Sequence, residues 1–598
     1  MKLKAQSSNL KRSCKLQAPR PRHRPLPSAI CYLLFVILLS FELCSLTFAA
    51  AAPRPNILFL LADDMRPDCI RALGHPVIET PHLDALVREG TAFTRAVAAY
   101  PICHVSRAEI LSGTSAFRNG VQYRGKDIDP ALKTWAATMR AAGYHTWYSG
   151  KWHNDGQPTS RGYEATGGLY SSGGGGPDKR SRDDYRDHAG RPATGYTGWT
   201  IKTDDGKVEL EKGIGLTPIT DRHIADGAIG LIKRKPSKPF FLHVNFTAPH
   251  DPRFFPPGHE KRYDPAKLPL PPSYRPQHPF DHGNLNGRDE VLLTKPLVES
   301  EFRAELAAYY AEISHLDEQV GRIVAALRET GQLDNTVIIF SSDQGLALGS
   351  HGLTGKQNLY EHTFRVPFIF RGPGIPRGQT NRADAYLRDV FPTVCDFAGV
   401  KIPDTVQARS LAPLFSGKAK YVHDFVVGYF TDTQRAIRDG DWKLICYPKA
   451  SRWQLFNLEA DPHELRDLAV DFNSLGEYEQ TVPKFSDLRH KLVNWLTANH
   501  DPHAKSVVAV RPTFEPEPGK PVVMVFGART SPMAVPFTSG LTLSKAIASA
   551  GGFTFGRRVT IWRLDGRREA VDMDQLVAGK LEDPKLDDGE MVFVPKAK

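Results

Sequence analysis

Asn56-Ile57-Leu58-Phe59-Leu60-Leu61-Ala62 runs without a break into Asp63-Asp64. Positions 57–62 are all apolar, with no alternation between faces. A strand covered on both sides reads this way, and such strands belong to parallel sheets packed between helices. The polar pair then emerges at the C-terminal end of the strand, the edge of an open α/β sheet where ligands bind. Three further segments repeat the pattern. Residues 144–149 lead to Gly150-Lys151-Trp152-His153, residues 240–246 to Ala248-Pro249-His250-Asp251, and residues 336–342 to Asp343-Gln344-Gly345. Residues 366–370 make one more strand. Helices alternate with these: 80–86, opened by Thr80 and Pro81; 132–142, closed by Gly143; 221–233; and the amphipathic stretch 299–330, stopped by Gly331. That alternation predicts an α/β fold with a mostly parallel central sheet.

A second stretch, Tyr100-Pro101-Ile102-Cys103-His104-Val105-Ser106-Arg107, opens a helix that Ser112-Gly113 closes. A thiol at a helix N-terminus faces backbone N–H groups that lack intrahelical partners, an address that suits an anion. Arg107, one turn later, points back at the same spot. Taken alone, a single cysteine is more often a buried structural residue than a reactive one.

With 598 residues, 41% of them hydrophobic, the chain has material for a large core and more than one domain. Its formal charge is +11, but residues 1–50 carry eight basic side chains and one acidic, which leaves +4 for the remainder. That balance tolerates anionic substrates and makes no case for nucleic acid. Residues 1–50 themselves read as a cleaved export signal. A basic, Pro-rich start leads into an apolar run and then Ala49 to Ala52, which predicts a secreted or periplasmic protein. The rival is an uncleaved membrane anchor, against which Glu42 inside the run and the alanine cluster both count. Cys14, Cys31 and Cys44 leave with the signal. Cys69, Cys103, Cys395 and Cys446 are too few for a disulfide framework, though one bridge among Cys69, Cys395 and Cys446 stays open, its pairing unfixed.

Periodicity fades over 155–215, where Gly167-Gly168 and Gly173 to Gly176 read as a flexible insertion. It is either a solvated loop or, since it follows Lys151 and His153 directly, a substrate-side loop. Pro-rich coil fills 256–296. Residues 442–447 and 453–458 read as paired antiparallel strands, with a closing helix at 486–498. The expected domains are 53–420, catalytic; 421–503, a smaller antiparallel subdomain; 504–521, a linker; and 522–598, a separate module. That module has strands at 522–526 and 591–594, a helix at 543–550 capped by Gly551-Gly552, and a hairpin around Asp565-Gly566.

The strand ends carry the chemistry. Asp63, Asp64, Asp343 and Gln344 are oxygen donors that suit a hard divalent cation, and calcium fits best where no His/Cys cluster competes. Lys151, His153, His250 and Lys356 occupy matching positions and, with Arg107, form a cationic set for a tetrahedral oxyanion beside the metal. The histidines also move protons near neutral pH.

These motifs, in this order, resemble the type I sulfatases of the alkaline phosphatase superfamily over residues 55–500. The match rests on Cys103-His104-Val105-Ser106-Arg107 against the family's C-x-P-S-R, on Gly150-Lys151-Trp152-His153, Pro249-His250, Asp343-Gln344-Gly345 and Lys356. It continues through Arg438-Asp439-Gly440-Asp441-Trp442-Lys443, Leu455-Phe456-Asn457-Leu458 and Asp461-Pro462-His463-Glu464. The resemblance implies an alkaline-phosphatase-like α/β/α sandwich and a sulfuric ester hydrolase acting on sulfated carbohydrate. It implies that a maturation enzyme oxidises Cys103 to formylglycine, whose hydrate attacks sulfur while bound to Ca2+. Asp63, Asp64, Asp343 and Gln344, with position 103, would hold that ion. Arg107 and Lys151 would stabilise the hydrate and the sulfate, His250 and Lys356 would contact the leaving oxygen, and His153 would take the proton whose loss expels sulfate. Two residues depart from the family pattern: Val105 replaces the proline that the maturation machinery reads, and Gln344 replaces the commoner Asn or His.

Residues 522–598 resemble the soluble-ligand-binding β-grasp domains of polysaccharide-export proteins. That match rests on 541–552, on Val559-Thr560-Ile561-Trp562-Arg563 and on 587–595, and it implies contact with an envelope glycan. Two other readings compete with the sulfatase: a phosphodiesterase or phosphonate monoester hydrolase using the same site, and a glycan-binding protein whose site is never matured. Candidate specificity residues are Asp251, Arg253, His278, Asp281 and His282, chosen because they follow His250 in an irregular segment.

Overall fold

The computed structural model describes residues 54–122, 125, 127–172, 186–191, 195–469, 475–510, 522–526, 533–550, 558–565 and 567–594. The signal assigned to 1–50, the glycines 173–176, the linker core 512–521, the Gly551-Gly552 cap and Gly566 lie outside them. Among the described residues no helix is long and apolar enough to cross a membrane.

The central sheet has nine strands: β1 (Asn56–Ala62), β2 (Thr91–Phe93), β3 (His145–Trp152), β4 (Ala165–Ser171), β5 (Thr200–Lys202), β6 (Phe240–Asn245), β7 (Thr336–Ser342), β8 (Phe368–Arg371) and β9 (Gln379–Asn381). Their order is β9-β2-β8-β7-β1-β6-β3-β4-β5. β7, β1, β6, β3 and β4 run parallel, and antiparallel strands lie toward both edges. Every residue of β1 is buried. Because side chains alternate along a strand, Ile57, Phe59 and Leu61 enter one core cluster and Leu58, Leu60 and Ala62 another, one on each face of the sheet. Each such buried Leu or Phe contributes about 1.5–3 kcal/mol. The helices that position the site are α1 (Cys103–Ser112), α2 (Thr220–Ile232) and α3 (Glu299–Glu329).

Part of the supposed insertion is sheet. β4 adds a parallel strand and β5 an antiparallel one at this edge, and Gly167 packs against α2. A Cβ added at Gly167 would lie 2.7 Å from the Gly227 carbonyl oxygen, so this glycine permits close strand–helix contact. Its residue type signalled flexibility; its neighbour supplies the reason for it.

A four-stranded antiparallel sheet follows: β10 (Val426–Phe430), β11 (Gln434–Asp439), β12 (Trp442–Tyr447) and β13 (Arg452–Asn457). Its link to the main body is ionic as well as apolar. Arg438 bonds Glu361 at 2.9 Å and Asp384 at 2.7 Å, and Lys443 bonds Glu361 at 2.9 Å and Glu464 at 2.8 Å. The next helix, α4, spans Leu475–Ala498 and starts well before the expected 486, with Pro483 inside it. Pro483 costs the helix one backbone donor and some crowding, which tertiary packing outweighs here. The expected linker also begins later. Ala504–Ala509 is helical, Val507 is buried, and the Val510 carbonyl accepts a 3.0 Å bond from the Trp453 indole.

Further on, β14 (Val522–Phe526), β15 (Met533–Pro536), β16 (Arg558–Trp562), β17 (Arg568–Asp572) and β18 (Met591–Phe593) form a mixed sheet in the order β15-β14-β18-β16-β17. Helices α5 (Leu543–Ser549) and α6 (Met573–Val577) accompany it, around a small core of its own. Cys69, Cys103, Cys395 and Cys446 are all buried and free, so no bridge joins the three candidates.

Candidate active site

β1 and β7 are neighbours in register, Ala62 beside Ser342, so Asp63-Asp64 and Asp343-Gln344 leave the sheet side by side. All four side chains are buried. α1 aims its first residue at them. Ile102 is extended and gives no side-chain cap, and the helix is buried from end to end. The Cys103 thiol donates to Asp63 Oδ1 at 3.2 Å and accepts from Gln344 Nε2 at 3.3 Å and Lys356 Nζ at 3.2 Å. Ligand atoms of Asp63, Asp64, Cys103 and His250 all lie within 4.8 Å of one another.

The cations reach the same point from separate elements. Arg107 Nε donates to Asp343 Oδ2 at 2.9 Å, and its Nη2 lies 3.5 Å from Asp63 Oδ2. Lys151, from the end of β3, is fully buried and ion-paired with Asp63. Lys356 Nζ bonds Asp64 Oδ2 at 2.8 Å. His250, beyond β6, sets Nδ1 against its neighbour Asp251's carbonyl at 2.5 Å and turns Nε2 toward Asp64 Oδ2, 3.7 Å away. His153 stands across the cavity, its ring 5.6 Å from that of His104. The structure thus brings every residue of the expected site to one place.

Burial opposes charge on all three aspartates. For Asp63, Lys151, His250, Arg107 and Lys356 together outweigh it and hold the carboxyl well below its usual range. Asp64, buried beside Asp63 and Asp343 with Lys356 as its counter-charge, is pushed up to about 7. Asp343 is pushed up to about 6 by burial and by Asp63. Burial and Asp63 raise the Cys103 thiol far above neutrality, so the unmodified thiol stays protonated and is a poor nucleophile. Despite Arg107, Lys151 and Lys356, burial and neighbouring carboxyls leave Asp64 and Asp343 pushed toward the protonated form, and Gln344 Oε1 is buried without a hydrogen-bond partner. Both deficits are what a divalent cation with oxygen ligands would remove.

Over this floor lies a cavity of about 230 Å³. Besides Cys103, His153, His250 and Lys356, it is lined by Tyr196 and Trp199 from the supposed insertion and by Arg288, Asp289 and Gln357. None of these five was expected. The candidate specificity residues do not line it. Arg253 is ion-paired with Glu305 on α3, and Asp251 accepts from Arg288 at 2.7 Å behind the wall. His278 bonds the Phe280 carbonyl at 2.6 Å, His282 meets Gln434 at 3.1 Å, and Asp281 caps the Gly283 N–H at 2.8 Å. Sequence proximity to His250 in coil did not carry over into space.

Comparison with known proteins agrees with this geometry. Residues 55–400 match the family profile described as Sulfatase, and residues 349–491 match the one described as N-sulphoglucosamine sulphohydrolase, C-terminal. An arylsulfatase of Clostridium perfringens is 31% identical over 455 residues, covering 72% of this chain and 92% of that protein. An N-acetylglucosamine-6-O-sulfatase of Bacteroides thetaiotaomicron is 27% identical, covering 72% and 85%. A solved structure described as a complex with its substrate D-glucosamine-2-N,6-O-disulfate superposes with a TM-score of 0.60 at 25% identity, covering 75% of this chain and 98% of that one. With aspartates, cysteine and cations converging at the strand ends, and with profile and relatives in agreement, the chain belongs to the sulfatase family and is a sulfuric ester hydrolase.

Proposed function

We propose that this sulfatase is an exported, calcium-dependent enzyme that removes sulfate from sulfated carbohydrate through formylglycine made from Cys103. The observation that carries the reading is the Cys103 Sγ itself, within 3.2–3.3 Å of Asp63, Gln344 and Lys356 at the floor of a cavity. Asp63, Asp64, Asp343 and Gln344 would hold the ion, which supplies Lewis-acid polarisation of the sulfate oxygens. Formylglycine supplies, as its hydrate, an oxygen nucleophile with a second hydroxyl for release of the product.

The chain's own groups do the rest. Arg107 and Lys151 fix Asp343 and Asp63 and place two positive charges beside the anion. Lys356 spans Asp64 and position 103, where its ammonium meets a sulfate oxygen. His250 and Lys356 flank the leaving oxygen, and one of them delivers its proton. Since burial and Lys356 depress the proton affinity of His250 while Asp64 raises that of Lys356, Lys356 holds its proton at neutral pH. His153 takes the proton whose loss frees sulfate.

The carbohydrate preference draws support from the relatives' substrates, and export from the pattern of residues 1–50. Residues 522–598 would serve to hold an envelope glycan. Turnover of an aryl sulfate against an aryl phosphodiester, with and without chelator, tests the reaction; faster phosphodiester cleavage would sink it. Mass analysis of the peptide around Cys103 from the native host tests the nucleophile, and a retained thiol removes it.

A further inference from the structure

Tyr196 occupies an unusual backbone position in the cavity wall. It lies between Gly195 (φ 81°) and Gly198 (φ 74°) and is itself left-handed, at φ 51°. An aromatic residue rarely adopts that conformation, and a residue held there points to a function for its side chain. The turn is closed by a 3.0 Å bond from the Trp199 N–H to the Tyr196 carbonyl. Arg288 packs on it so closely that a Cβ at Gly195 would lie 2.7 Å from Nη1.

The side chain explains the effort. The buried Tyr196 hydroxyl donates to Asp63 Oδ2 at 2.9 Å and accepts from Lys151 Nζ, which also pairs with Asp63. Carboxylate, ammonium and phenol form a closed triangle. The ring sits edge-to-face on His250 at 4.7 Å and on Trp199 at 5.1 Å and also meets Tyr170 at 5.9 Å, and Trp199 in turn meets His153 at 5.4 Å.

We infer that Tyr196 is a positioning residue for the ion site, its hydroxyl fixing Asp63 and Lys151 in the orientation that cation binding needs. This rests on the calcium reading above. An outer hydrogen-bond partner of a ligand carboxylate restricts its rotation, and loss of such a partner weakens metal binding about 10–100-fold.

The test is calorimetric titration of chelator-stripped full-length protein with Ca2+, wild type against Tyr196→Phe, which keeps the ring and removes only the hydroxyl. The dissociation constant should rise about 10–100-fold, while circular dichroism and the melting temperature in chelator stay close to wild type. A folded variant with unchanged affinity overturns the inference and leaves Tyr196 as wall. A variant that has lost its melting transition also overturns it, since the residue then holds the fold together. A wild type that binds no Ca2+ overturns the inference and the calcium reading together.

Discussion

Two buried charge networks of this molecule are alike in composition and opposite in use. At the candidate active site Asp63, Asp64 and Asp343 face Arg107, Lys151 and Lys356. Under the small antiparallel sheet Glu361, Glu464 and Asp384 face Arg438, Lys443 and Arg95. Burial and pairing alone therefore do not mark function. The first network opens into a cavity, contains a thiol, and leaves Gln344 Oε1 without a partner. The second joins β11 and β12 to Glu361 and Asp384 of the main body and holds no thiol; its Arg95 and Asp384 reach an open surface groove, and its Arg438 Nε, like Gln344 Oε1, is buried without a hydrogen-bond partner. What separates them is the thiol and the converging histidine of the first, against a second that ties one sheet to the main body.

The sharpest way to separate them is to remove the proposed nucleophile from the first. Cys103→Ala should lower turnover by about 10⁴-fold or more. Neither the thiol nor the formylglycine proposed to form from it carries a charge that the fold depends on, so stability should move by no more than about 1 kcal/mol. Initial rates and a thermal melt on the same preparation decide it, and ordinary activity in the variant would refute the proposed chemistry. The second network should behave the other way round. Lys443→Met leaves Glu361 and Glu464 facing each other in the dry interior, and breaking a buried pair in this manner costs about 3–5 kcal/mol. Urea unfolding should show that loss while the folded fraction keeps the wild-type kcat. A variant that loses kcat but not stability would assign this network to the site instead.

The same contrast explains what the sequence disclosed. The floor was legible because physics repeats there: an uninterrupted apolar run, then polar residues at the strand's C-terminal end, four times over. Cys103 was legible as a helix start after Pro101. The wall was not. Tyr196 and Trp199 sit in a Gly-rich stretch with no period, and their meaning comes from a left-handed turn and an arginine some ninety residues away in sequence. Arg253 and His278 looked suitable because they are polar and follow His250, yet a coil carries no rule for direction, and Glu305 and Tyr360 claim them. Lys443 and Glu464 were visible as motif residues, but their pairing needs a register between distant segments. Strands and helices transmit position along the chain; loops acquire it from whatever they pack on.

The smallest effect is the most exact probe of the second network. Within it Glu361 is held well below its usual range, because Arg438 and Lys443 outweigh its burial, whereas Glu464 is pushed up to about 7 by burial and by Glu361, against Lys443. A carboxyl whose folded value lies above its unfolded one binds more protons folded than unfolded. Its contribution is therefore complete below the unfolded value of 4.5 and is lost as pH rises toward 7. Glu464→Gln replaces it with a neutral group of the same shape that cannot ionise. The stability of the variant relative to wild type should then rise between pH 5 and pH 8, by about 1–3 kcal/mol. Denaturant midpoints at several pH values measure the difference directly and cancel the groups common to both proteins. A difference that stays flat or falls with pH would mean that Glu464 is ionised throughout. Lys443 would then outweigh burial, and the second network would hold its charges as firmly as Asp63 holds its own.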